Sequence, residues 1–227
     1  MLKNRICMIK TMKNFKFTCI GLFISYFGIL LTGSLFKILN GQPLGDGLTI
    51  IRELTNFILV GILCWIIINK EVLQLDSIGI RKIAWKQTAI WTIITGLFCF
   101  VGLVICLAII QAFGWEYGKT KSPVKLSMLT TTLVMLRAGI AEEVFFRGYI
   151  YERLHFLLKN KWIAVALSVI PFALLHYSQG LPGIFIALVL GGILTVMYLW
   201  KRNLKANMIA HFLIDFIPNV LIPLIMG

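Results

Sequence analysis

The chain has 227 residues, 59% of them hydrophobic, and carries a formal net charge of +13. A chain of this size and apolarity is no soluble domain; it is an integral membrane protein, and its long uncharged runs are of helix-spanning length, so the expected fold is an all-α transmembrane bundle. The basic residues fall in short groups between apolar runs and never gather into one patch or arm, which excludes a nucleic-acid partner and fits the positive-inside rule.

Residues 1–16 carry Lys3, Arg5, Lys10, Lys13 and Lys16 with no acid, and residues 17–36 then run uncharged. The run is longer than a cleavable signal core and no small-x-small site closes it, so it reads as an uncleaved first span with a cytoplasmic amino terminus. After the turn NGQPLGDG at 40–47 the second span covers about 50–69, with Arg52 and Glu53 at its mouth. Residues 71–86 are mixed and charged, with Arg81, Lys82 and Lys86, and fit a cytoplasmic connection with a short amphipathic segment. A third, uncharged span at 87–115 is longer than ~30 Å of hydrocarbon requires at ~1.5 Å per residue, so it must tilt, bend or protrude.

The charged loop at 116–125, broken by Pro123, leads to a fourth helix from Leu126 to about Leu158, where a basic turn LKNKW begins. A fifth span at 162–176 contains Pro171 as a kink position. The sixth covers about 184–200 after the Gly/Pro break at 179–183, and the last covers 207–226. Seven spans from a cytoplasmic start place the basic groups at 81–86, 159–161 and 201–205 on the cytoplasmic side, while the basic loop from Lys119 to Lys125 falls outside. The localisation expected is the cell membrane, multi-pass. The five cysteines (Cys7, Cys19, Cys64, Cys99, Cys106) show no ligand spacing and read as small apolar residues.

The chemistry is concentrated in AEEVFFRGYIYERL at 141–154, which sets Glu142, Glu143 and Arg147 among membrane spans. Ionised groups at bilayer depth cost several kcal/mol by most scales and need a pathway, a partner or a reaction. Glu143 and Arg147 have the i, i+4 spacing of a helical ion pair, and burial makes that pairing close to obligatory. Glu142, turned ~100° from its neighbour on an α-helix, is expected to be left free to line a cavity. The bland alternative is that both acids merely neutralise Arg137 and Arg147.

His176 ends FALLH, and if the chain reverses at the KNK turn, His176 and Glu142 both stand ~25 Å from it and can face each other. His155, close to the turn beside Arg153, lacks that match and reads as an ordinary packed histidine. His211 and Asp215 share one face of the last span at i, i+4, so Asp215 can orient or charge-stabilise His211 through a ring nitrogen. Because His211 follows closely after Lys205, one shared site requires the KNK turn to project well into the cytosol. There is no HExxH helix and no GxSxG elbow. What remains, a glutamate, two histidines and an aspartate, can activate water and stabilise an oxyanion without a covalent nucleophile.

EEVFFR (142–147), FALLH (172–176) and HFLID (211–215) together resemble the motifs EExxxR, FxxxH and Hxxx(N/D) of the CAAX protease and bacteriocin-processing (CPBP) family of intramembrane endopeptidases, which includes the type II CAAX prenyl endopeptidases. The resemblance covers roughly 126–222, and LQLDSIGIRK at 73–82 looks like a connector often found ahead of the family's core. It implies a catalytic core at 126–227 behind amino-terminal spans and connector at 1–125. By position it implies that Glu142 and His176 activate the attacking water, that His211 and Asp215 hold the developing oxyanion, and that Glu143 and Arg147 support them. A metal-dependent version would use Glu142, His176 and His211 as ligands, zinc suiting two histidines and a carboxylate. The partners implied are the lipid bilayer and a membrane-associated peptide or lipidated protein substrate, with bacteriocin maturation or self-immunity as the setting. The basic, Ile- and Lys-rich composition looks bacterial, which disfavours a eukaryotic-style prenylated substrate. The rival reading is a non-catalytic protein, a proton-coupled carrier or a partner-binding scaffold, since buried Glu, His and Asp also build proton relays. The lack of repeated halves speaks against a carrier.

Overall fold

A computed structural model of the chain describes residues 14–116 and 126–226; Lys3, Arg5, Lys10, Lys13, Cys7 and the basic loop from Lys119 to Lys125 lie outside the described residues. The described chain is seven helices without strands: α1 Phe15–Asn40, α2 Asp46–Lys70, α3 Trp85–Ala112, α4 at 128–158, α5 Lys161–Leu174, α6 Gly180–Lys201 and α7 at 204–226. Five of them (α1, α2, α3, α6 with the turn before it, and α7) are long and apolar enough to cross a bilayer. The protein is a multi-pass membrane protein. The other two of the seven expected spans are of a different kind. α5, at 14 residues, reaches only about 21 Å, short of a hydrocarbon core of ~30 Å. α4 carries too many charges to face lipid, and every residue from 141 to 153 is buried.

That burial places α4 at the centre. It packs against α1, α2, α5 and α7, while α3 covers α6 and α7 from outside. The outer faces are apolar, as at Phe98, Phe100 and Val101 on α3, because lipid replaces water as their solvent. α2 and α4 run parallel and are tied at three heights. Ser127 donates its backbone N–H to Asp46 at 2.9 Å, Arg137 bonds Glu53 at 2.6 Å, and Arg153 bonds Glu71 at 2.8 Å. Glu71 is fully buried and also accepts from Thr18 of α1 and Tyr149 of α4, both at 2.8 Å. The connector after α2, where a short amphipathic segment is expected, is packed into the bundle. Its one helical turn, Leu75–Ile78, buries Ile78 completely, and Gly79 accepts from the Leu204 backbone N–H at 3.1 Å.

Pro171 lacks the N–H that would serve the Leu167 carbonyl one turn earlier, and Tyr26 of α1 donates its hydroxyl to that carbonyl at 2.8 Å. The α4–α5 turn is built from Lys159 in the left-handed region (φ 53°) and Asn160, whose side chain accepts from the Trp162 and Ile163 N–H groups.

Glu152 pairs with Arg202 at 2.7 Å and Arg153 with Glu71, so 152–153 lie level with the ends of α2 and α6. Residues 154–160 continue beyond that level, and one site for His176 and His211 calls for this hairpin to reach the cytosol. Cysteines placed at Asn160 and Trp162, in a background without the native cysteines, are expected to react rapidly with an impermeant thiol reagent applied to the side bearing Lys82, Lys86 and Lys205. Protection of both would show that the hairpin is embedded.

Candidate active site

The centre of α4 is wound as a π-helix over Ala138–Ile150, with i→i+5 hydrogen bonds, flanked by α-helical turns. Such stretches are rare and collect at functional sites. The wide winding brings residues five apart together, a spacing that on an α-helix lies roughly 140° round the barrel. Arg137 thereby donates Nη1–H to Glu142 Oε1 at 2.5 Å, and its Nε–H goes to Glu53 Oε2 of α2 at 2.6 Å. Glu53 is fully buried and also pairs with Arg52 beside it. Glu142 is thus not the free acid that α-helical geometry predicts. One oxygen is held by Arg137 and the other, Oε2, lies 4.0 Å from His211 Nε2.

Glu143 and Arg147 pair as expected, at 2.9 Å, both completely buried. Arg147 also donates to the Gly191 carbonyl at 3.0 Å and to Thr195 at 3.3 Å, and its guanidinium lies 4.2 Å from the centre of the Phe172 ring. Gly191 is required by that close approach, since a Cβ there would stand 2.8 Å from Phe172 Cδ1 and 3.0 Å from Arg147 Nη2. Glu143 does more than neutralise Arg147. Oε1 lies 2.9 Å from His211 Nδ1 and Oε2 accepts from Asn207 at 3.3 Å. A carboxylate accepts, so Nδ1 of His211 carries the proton and Nε2 is turned towards Glu142 and Asp215. Asp215 Oδ2 stands 3.5 Å from that Nε2 and is partly exposed. The group that orients His211 is therefore Glu143 from α4; Asp215 faces the opposite ring nitrogen.

His176, at the end of α5, sets Nδ1 3.1 Å from the Phe172 carbonyl of its own helix, which leaves Nε2 outward. His176, His211 and Asp215 line one cavity of about 420 Å³ between the end of α5, α6 and α7, with Gln179, Gly183 and Asn219. Glu142 is within electrostatic reach of both histidines. His176, His211 and Asp215 thus share one cavity, and Glu142 joins them through its 4.0 Å approach to His211. His155 stacks on Tyr151 with ring centres 5.4 Å apart, well away from this cluster in the chain's basic hairpin.

Residues 123–217 match the family model described as type II CAAX prenyl endopeptidase Rce1-like. Over these residues the chain is similar to the CAAX proteases. Comparison with curated proteins and with solved structures gives no match. The matched part begins just before α4 and ends within α7, so it contains all four clustered side chains and leaves out α1 to α3. Glu53 lies in that unmatched part. Its one signal in the sequence is an acid within an apolar span, a feature that calls for a partner at bilayer depth. Asn207 was equally readable, four residues before His211 on the same face, and it joins Glu143 to the Leu194 carbonyl, 2.7 Å away.

As arranged, Glu142, His176 and His211 do not form a ligand set for the zinc ion that the CAAX protease resemblance allows. Among the described residues no group of three or more His, Cys, Asp or Glu side chains is placed to hold a metal. One Glu142 oxygen is engaged by Arg137.

Proposed function

We propose that this protein is an intramembrane endopeptidase that hydrolyses a peptide bond in a membrane-associated peptide or lipidated protein. The observation that carries the reading is the meeting of Glu142, His176, His211 and Asp215 beside one polar cavity within an otherwise apolar bundle. Glu142 Oε2 and His211 Nε2, 4.0 Å apart, leave room for one water to hydrogen-bond both at lengths of about 2.8 Å.

In the proposed step Glu142, aided by His176, takes a proton from that water as its oxygen attacks the scissile carbonyl. The carbonyl π pair moves onto oxygen, and imidazolium N–H of His211, charge-balanced by Glu143 and Asp215, donates to the oxyanion. Collapse of the tetrahedral intermediate breaks the C–N bond, and the proton held by Glu142 passes to the leaving amine. Glu143 keeps the His211 ring in place, and Arg147 keeps Glu143 in place. A bacterial peptide of the bacteriocin type is the substrate class we infer from the CPBP resemblance. The amino terminus is assigned to the cytoplasm of a cell membrane by its basic groups.

The test is cleavage of a panel of membrane-anchored peptides, some lipidated, by the purified protein, with and without a chelator. Cleavage that survives the chelator supports water activation by Glu142 and His176. Cleavage lost with the chelator and restored by zinc gives that step to a metal. No cleavage of any peptide favours the carrier or scaffold.

A further inference from the structure

We propose that Arg137 and Glu53 are positioning residues for Glu142, with Glu53 acting through Arg137 from a helix outside the family match. The inference rests on Glu142 being the base of the proposed reaction, and it goes beyond that reading in bringing the amino-terminal half into the active site.

The geometry points to a device rather than to simple neutralisation. Neutralisation alone would be met by two separate pairs, Arg52 with Glu53 and Arg137 with Glu142. Arg137 instead has two acids, on different edges of one planar fork: Glu53 on Nε and Glu142 on Nη1. Because the guanidinium is planar and rigid, fixing the Nε edge fixes where the Nη1 edge points. Glu53 is itself fixed. It is fully buried, pairs with Arg52, and sits on a helix tied to α4 above and below by the Asp46–Ser127 and Glu71–Arg153 bonds.

The consequence for Glu142 is directional. Arg137 takes Oε1 and leaves Oε2 facing His211. A glutamate with three rotatable bonds and no such anchor would share its time among rotamers. Glu53 also draws on the same guanidinium charge, so Arg137 holds Glu142 without binding it as an undivided counter-ion. Arg52, Glu53, Arg137 and Glu142 together sum to zero formal charge, so the anchor adds no net charge to the bundle.

The informative variant is Glu53→Gln in the full chain, because Arg137 keeps Glu142 as its acid and the cation that loses its partner, Arg52, is partly exposed. We expect its kcat for peptide cleavage to fall by about ten-fold with KM within about two-fold, since small misplacements of a reacting group cost rate rather than binding. Arg137→Met is expected to lose more. Arg137→Lys, which keeps the charge and loses the fork, should recover part of that loss, and adding Glu53→Gln to Arg137→Lys should cost nothing further. A rise in KM at constant kcat, or additive losses in the double variant, overturns the proposal.

A second measurement is independent of turnover. Hydrophobic carbodiimides modify protonated buried carboxyls and spare those held in ion pairs. Modification of Glu142, followed by mass spectrometry, is expected to be fastest in Arg137→Met, slower in Arg137→Lys and slowest in the wild type. Equal rates in all three overturn the positioning even if no peptide is cleaved. A wild type that cleaves nothing while this order holds leaves the positioning standing and refutes the proteolytic reading alone.

Discussion

Glu142→Gln is expected to lower the cleavage rate by ~10²- to 10⁴-fold, the range that loss of a general base supplies, while the protein stays folded and membrane-inserted. The reason it stays folded lies on α2. Removing an acid from a buried ion pair normally strands its partner, but Arg137 keeps Glu53 at 2.6 Å, and the amide retains the shape and an acceptor oxygen for Arg137 Nη1. The check is a cleavage assay paired with thermal unfolding in detergent. Activity within a few-fold of wild type would remove Glu142 as the base. A collapse of the melting temperature would instead show that Glu142 matters chiefly for folding.

Arg147→Leu is expected to have the largest effect on stability, ~3–5 kcal/mol, because it takes the arginine from the completely buried Glu143 carboxylate and also removes one of two donors to the Gly191 carbonyl. Adding Glu143→Leu should restore part of the loss by removing the second charge; simply additive losses would refute the pairing. The two changes separate stability from activity. The double variant loses the 2.9 Å contact that fixes His211 Nδ1, so it should remain inactive even where it regains stability. Recovery of cleavage in the double variant would mean that Glu143 has no part in orienting His211.

The motifs were legible because they are local or repeat a known order. Glu143 and Arg147, four apart, pair as the spacing says, and His176 and His211 reach one cavity. Two features were less legible. The pairing of Glu142 with Arg137 enters the sequence reading only as the bland alternative, because residues five apart do not face each other on an α-helix and meet here where the backbone widens into the π-helix at Ala138–Ile150. For His211 the spacing offers only Asp215, on its own helix, as an orienting or charge-stabilising group, because periodicity sees only neighbours on one element. The closer partner, Glu143, comes from another helix, and α7 reaches it by packing on α4.

The sequence by itself determined the solvent and the fold class. Long uncharged runs force helices in lipid, where backbone groups have no other partner, and acids and histidines in such surroundings mark the place where polar chemistry is gathered. Only the tertiary structure decided which polar groups hold which. Burial makes every ion pair obligatory without naming its members. The choice between Arg137 and Arg147 for Glu142, and the placing of Glu53 beside Arg137, came from the parallel alignment of α2 with α4 and the winding of α4.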